Sequence, residues 1–293
     1  MNELKFSQNQ PLVKPNIHFI FILSILIVVV LSLSSNLMAQ GDLLIFPKRV
    51  VFEGAQRFHE LNLLNSGHDT SRYVISFVQI RMKEDGGFEN ITQPDSGQNF
   101  ADSFIRIFPR TVTLAPGEAQ VVKIQLTKTN LLTEGEYRSH IYFRSDKKPQ
   151  TVGEKDTTKD TTAIGIHLVA VYGITIPVII RVGESSTNVN ISDLSFNKVN
   201  DTTASVKLSL NRKGNMSVYG DIKVDYISQD GKLTEVGKVQ GVAVYTPNLI
   251  RRCVINLNNI PGINYNKGKL HLVYSAERED RLSKLAEAEL LLQ

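Results

Sequence analysis

IGIHLVAVYGITIPVII, residues 164–180, is apolar enough for a membrane segment, yet a His, two Gly, a Thr and a Pro interrupt it. The even positions Ile164, Ile166, Leu168, Ala170, Tyr172, Ile174, Ile176, Val178 and Ile180 are all apolar or aromatic. The odd positions mix Gly165, His167, Gly173, Thr175 and Pro177 with Val169, Val171 and Ile179. A period of two marks an extended strand, whose side chains alternate between one greasy face and one mixed face. A membrane helix has no such dependence on parity. At about 3.3 Å per residue the run reaches roughly 56 Å, far beyond an ordinary strand of about 5–6 residues.

The segments on either side support an all-β reading. LLIFPKRVVF ends at Glu53-Gly54, FHELNLLN at Ser66-Gly67 and YVISFVQIRM at Glu84-Asp85-Gly86-Gly87. FIRIFPRTVTL then reaches Ala115-Pro116-Gly117, where VVKIQL follows. Short apolar runs bounded by turn residues are strand signals. Pro116-Gly117 suits the centre of a type II turn, because Pro presets the first φ and Gly accepts a positive second one; the turn should join two adjacent strands. After EYRSHIYFR comes SDKKPQTVGEKDTTKDTTA, a polar stretch with no apolar period, which reads as a long mobile loop ahead of the greasy strand.

Beyond a small polar linker, RVGESST, a second series begins at Asn188: VNISDLSF, TASVKLSLN, YGDIKVDYI, GKVQGVAVYT, RCVINL and GKLHLVYSA. Two blocks of short strands indicate two β-sandwiches. The tail EDRLSKLAEAELLLQ fits a helix through Leu282, Leu285 and Glu289, and a strand through Ala286, Ala288, Leu290 and Leu292. The strand is favoured, since a sandwich needs its closing partner.

The N-terminus carries Lys5 and Lys14 ahead of an apolar run from Phe19 to Leu33, and then Leu37-Met38-Ala39. This is the order of a secretory signal peptide over 1–39; a retained inner-membrane anchor is the alternative. Export to the periplasm follows from the first. Losing Lys5, Lys14 and Glu3 from 33 basic and 29 acidic residues leaves a net charge of +3, too small to argue for a nucleic-acid partner. Cys253 is the single cysteine, so there is no internal disulfide and no thiolate cluster. His59, His68, His140, His167 and His271 are scattered without metal-ligand spacing, and Asp156 and Asp160 sit in the polar loop. There is no GxSxG, HExxH, P-loop or dinucleotide fingerprint. No catalytic residue, metal or cofactor is expected, and the chain does not read as an enzyme.

RVVFEG (49–54), Asn65, Pro109, LAPGEAQVVKI (114–124), YRSHIYFR (137–144) and the long alternating strand occur in an order that resembles the PapD-like periplasmic pilus-assembly chaperones. The likeness covers roughly residues 42–183 by motif. It implies two immunoglobulin-like β-sandwich domains, 40–183 and 184–293, in an L-shaped or boomerang arrangement. It also implies a role: holding incomplete immunoglobulin-like pilus or surface subunits by donor-strand complementation and passing them to an outer-membrane assembly protein. In that family an Arg and a Lys anchor the client's C-terminal carboxylate. Arg49 matches the Arg, whereas the Lys falls at Pro177 and is absent. Arg181, four residues on, is not assigned the missing role. The polar loop is long, as in the long-loop branch of the family, but that branch's disulfide cannot form here. On this reading Leu168, Ala170, Tyr172, Ile174 and Ile176 face the client; periodicity alone favours a face buried in the protein's own core, and the resemblance reverses that balance. A structural or adhesive envelope protein built from two sandwiches is the competing reading, and a self-capping homodimer stays open.

Overall fold

The computed structural model describes residues 43–146, 172–198, 204–278 and 281–292, all within one compact unit spanning 41–293. Residues 1–39, read above as a signal peptide, Leu168, Ala170 and nearly all of the polar stretch after Arg144 lie outside the described residues.

Eleven strands build the first half. In chain order they are β1 (Leu43–Phe46), β2 (Val50–Phe52), β3 (Phe58–Asn65), β4 (Ser71–Val78), β5 (Ile80–Met82), β6 (Phe88–Asn90), β7 (Ile105–Phe108), β8 (Thr111–Leu114), β9 (Ala119–Leu126), β10 (Gly135–Ser145) and β11 (Gly173–Val182). One sheet runs β1-β3-β9-β7 and the other β2-β11-β10-β4-β8, with β5 and β6 forming a separate hairpin. Alternation drives the packing. In β3, Leu61, Leu63 and Asn65 point inward, and in β9 Val122, Ile124 and Leu126 do the same, so the two sheets close over one apolar core.

The second half contains β12 (Asn188–Lys198), β13 (Ala204–Lys213), β14 (Val218–Ile227), β15 (Leu233–Val244), β16 (Ile250–Leu257), β17 (Lys269–Arg278) and β18 (Arg281–Leu291). Sheet β12-β13-β16 covers sheet β15-β14-β17-β18 over a second core centred on Val206, Leu210, Ile222, Val224, Leu272 and Tyr274. The molecule is therefore all-β, with two sandwiches of immunoglobulin-like build. The C-terminal tail is β18, paired antiparallel to β17, so strand alternation prevails over the helical spacing.

The turn at Pro116-Gly117 forms with Gly117 at φ 72° and the Glu118 N–H donating to the Ala115 carbonyl at 3.0 Å. The Glu118 carboxylate accepts the Ala115 N–H at 2.7 Å, which accounts for a Glu directly after the Gly. The strands it joins are neighbours in sequence but lie in opposite sheets: β8 pairs with β4, whereas β9 pairs with β3 and β7. The turn thus joins two strands adjacent in the chain, but not as a hydrogen-bonded hairpin. Turn chemistry specifies a reversal; the partners available to each strand decide the sheet.

The chain also changes sheets near its start. β1 pairs antiparallel with β3, and after Pro47-Lys48-Arg49 the chain re-enters as β2, pairing parallel with β11. Arg49 thus sits at the crossover. The β5–β6 hairpin reaches the second sandwich, where Met82 joins Ile179, Ala243 and Tyr245 in a small third core.

Candidate functional site

The greasy strand has two distinct edges. Along one side β11 pairs with β10 from Gly173 to Val182. Along the other, β2 covers only Val178 to Ile180. Among the described residues no strand pairs with the edge from Gly173 to Pro177.

The register shows which backbone groups that edge presents. The Ser145 N–H donates to the Tyr172 carbonyl at 3.0 Å, and opposed pairs in an antiparallel ladder alternate between bonded and non-bonded. Hence Ile174 and Ile176 turn their backbone groups toward β10, while Gly173, Thr175 and Pro177 turn theirs to the open side. Pro177, opposite His140, falls at a non-bonded position, so its missing N–H costs the ladder nothing.

The side chains divide differently. Tyr172 is 55% exposed at the start of the strand, Ile174 packs partly against the first core, and Ile176 is buried within it at 3% exposure. The expectation that Ile176 faces a client is therefore corrected: from Ile176 onward the even face is the core face of the first sandwich. Tyr172 is exposed even though Ser145, which bonds its carbonyl, and Tyr73 beyond it in the same sheet are buried.

On the odd face the strand meets the second sandwich. Here Arg49 stacks its guanidinium 4.4 Å from the Tyr219 ring centre and 5.9 Å from that of Tyr245, and Arg138 lies 4.6 Å from Tyr245. Cations over aromatic faces are held by the ring quadrupole without a counter-charge. Arg138 is almost fully buried and donates to the carbonyls of Ile80 and Thr246, both at 3.3 Å. Burial, the largest influence, pulls both arginines below their usual pKa; they remain cations at any physiological pH. Arg49 makes no ion pair with a described carboxylate, and its Nε is buried without a hydrogen-bond partner.

Arg181 is not a free substitute for the missing Lys. Its Nε donates to Glu136 at 3.1 Å, its Nη1 to Glu53 at 2.6 Å and its Nη2 to the Ser217 carbonyl at 2.8 Å. The buried Glu136 carboxylate also accepts from Ser217 N at 3.0 Å, Ser217 Oγ at 2.7 Å and Thr246 Oγ1 at 3.2 Å. This network ties the end of the greasy strand to the second sandwich.

Two openings flank Arg49 and Tyr219. A larger cleft of about 930 Å³ runs past Glu53, Arg181 and Ser217, and a recess of about 230 Å³ is bounded by Lys48, His140, Pro177, Tyr245 and Arg251. Among the described residues no group of three or more His, Cys, Asp or Glu is placed to hold a metal ion.

Sequence reading found Arg49 but not its setting. Tyr219 and Tyr245 come from a different sandwich, and nothing local to them in the chain signals a shared site. Glu136 and Arg138 alternate with core residues in β10, where charge at a nearly buried position was the only available clue.

No protein-family model matches the chain, and no curated protein matches it in sequence. Solved structures of fimbrial chaperones are similar to it. The YadV chaperone is 12% identical, with 86% of this chain and 100% of that one covered and a TM-score of 0.42. The class 5 fimbriae chaperone CfaA is 12% identical over 86% and 99%, with a TM-score of 0.42. A chain of the Salmonella enterica complex of SafA pilin with the SafB chaperone is 13% identical over 86% and 97%, at 0.38. Likenesses of this size leave the fold resting on the sheets and registers themselves.

Proposed function

We propose that the chain is a divergent PapD-like periplasmic chaperone, exported by a signal peptide over 1–39, with domains at 40–183 and 184–293. It binds incomplete immunoglobulin-like pilus or surface subunits by strand complementation and releases them to an outer-membrane assembly protein. It performs no catalysis. The observation that carries this reading is the edge of β11 between Gly173 and Pro177, which pairs with no strand among the described residues and is continuous in sequence with the alternating apolar run. An uncovered edge next to greasy side chains is an aggregation hazard unless a partner uses it. Strand addition supplies that use: backbone groups provide affinity, and alternate side chains fill a partner's groove.

Leu168, Ala170 and Tyr172 are the donated side chains on this reading, with Ile174 at the border. Arg49 anchors the client's terminal carboxylate. A partner strand laid along Gly173–Pro177 meets β2 at Val178, so it must end or turn there, beside Arg49. A chain end oriented this way runs parallel to β11.

The test is recovery of envelope proteins co-expressed with Leu168→Asp and Tyr172→Asp variants. Tyr172 is largely exposed, so its variant should melt with the wild type. Both variants should lose the client. If both fold and retain every wild-type partner, strand donation is wrong and the structural or adhesive reading replaces it.

A further inference from the structure

The recess beside Pro177 has an unusual charge balance. Lys48, Arg49 and Arg251 line it, and no Asp or Glu does. None of the three cations is ion-paired with a described carboxylate. His140, 2% exposed, also lines it, and its Nδ1 is buried without a hydrogen-bond partner. Concentrated like charge at a seam between two sandwiches is unfavourable unless an anion relieves it, and the Nε donors of Arg49 and Arg251, buried without a hydrogen-bond partner, add to that cost.

Arg251 comes from β16, in the second sandwich, and its guanidinium is held in place. Nη1 donates to the Ala243 carbonyl at 2.6 Å, and the tip of the β5–β6 hairpin presses on it, so that a Cβ on Gly86 would stand 2.7 Å from Nη2. Thr175 and Pro177, from the open edge of β11, form another wall of the same recess.

We propose that this recess is a carboxylate site in which Arg251 of the second sandwich supplies the cation that Pro177 cannot. The inference rests on the strand-addition reading for its ligand, the free C-terminus of a partner strand. Arg49 and Arg251 then grip the carboxylate from opposite sandwiches, so a bound chain end spans the seam. Guanidinium suits this role because its planar fork matches a carboxylate's two oxygens.

Two measurements on the mature protein separate the site from its ligand. The first compares melting in sodium acetate and in sodium chloride at equal ionic strength. Acetate should raise the wild-type melting temperature, and Arg251→Gln should lose about half of that rise or more, because only the native state holds the anion. The second compares binding of an alternating Val/Thr nonapeptide as free acid and as C-terminal amide. The wild type should prefer the acid by about tenfold, falling to about twofold or less in Arg251→Gln and largely returning in Arg251→Lys. An acetate effect without binding of either peptide leaves the anion site standing and rejects strand addition. Peptide binding with the same acid preference in wild type and Arg251→Gln overturns the role of Arg251 while strand addition survives. If Arg251→Gln melts early in chloride, Arg251→Lys decides: a charge-preserving variant without acid preference also overturns the proposal.

Discussion

Pro177 stands opposite His140 in the β10–β11 ladder at a non-bonded position, with its nitrogen turned toward the open edge and its ring beside the buried imidazole. A residue that would disrupt a central strand is harmless here because β2 begins pairing only at Val178. The strand is therefore continuous on its β10 side and interrupted on the other.

His140 should make the protein acid-sensitive. Burial first, and the neighbouring Arg138 second, lower its pKa from 6.5 to about 3. Between these values the unfolded imidazole takes up a proton that the folded one refuses, so acid favours unfolding. Its contribution is fully present above about pH 6.5 and is lost as pH falls toward 3, at up to about 1.4 kcal/mol per pH unit. Urea titrations at pH 7, 5 and 4 should show a shallower acid decline in His140→Phe, whose ring keeps the edge contacts with Phe88 and Tyr245. Equal slopes in the two proteins would refute this.

Glu136 should be the costliest single acid to remove. It joins Arg181 of β11 to Ser217 and Thr246 of the second sandwich, with no exposed side-chain surface of its own. Glu136→Ala leaves Arg181 with the more exposed Glu53 and strands the Ser217 donors, a loss of about 3 kcal/mol. Equilibrium urea unfolding measures it, and a loss below about 1 kcal/mol, the ordinary value of an exposed pair, would show that the network is dispensable.

The hairpin contacts should divide by burial rather than by charge. Glu84 pairs with Arg252 at the surface, so Glu84→Gln should cost under about 0.5 kcal/mol. Asn248 Nδ2 donates to the Met82 carbonyl at 2.7 Å, and Asn248→Ala should cost about 1–2 kcal/mol by leaving that oxygen unpaired. The reverse order in thermal melts would mean that the ion pair holds the hairpin.

The sequence made the sandwiches legible because burial follows side-chain parity: β3 and β9 alternate as strands with one core face, β11 was legible as a strand although its even face was assigned to a client, and β18 followed from Ala286, Ala288 and Leu290. The site was less legible. Ile176 has the same parity as Tyr172, yet one is a core residue and the other is exposed at the start of the strand, a difference that alternation does not encode. Arg49 could be picked out by resemblance, but its stacking on Tyr219 and Tyr245, and its company with Arg251, depend on contacts between sandwiches that no local pattern encodes.

β2 takes over the edge of β11 at Val178. A strand halted there is counted from its own end, and successive side chains alternate faces. Removing one terminal residue from such a strand would turn its whole apolar row outward, whereas removing two would restore it. On the strand-addition proposal, the crossover that carries Arg49 would act as a ruler of odd and even, and a partner would be measured by the parity of its last strand before its individual side chains are read.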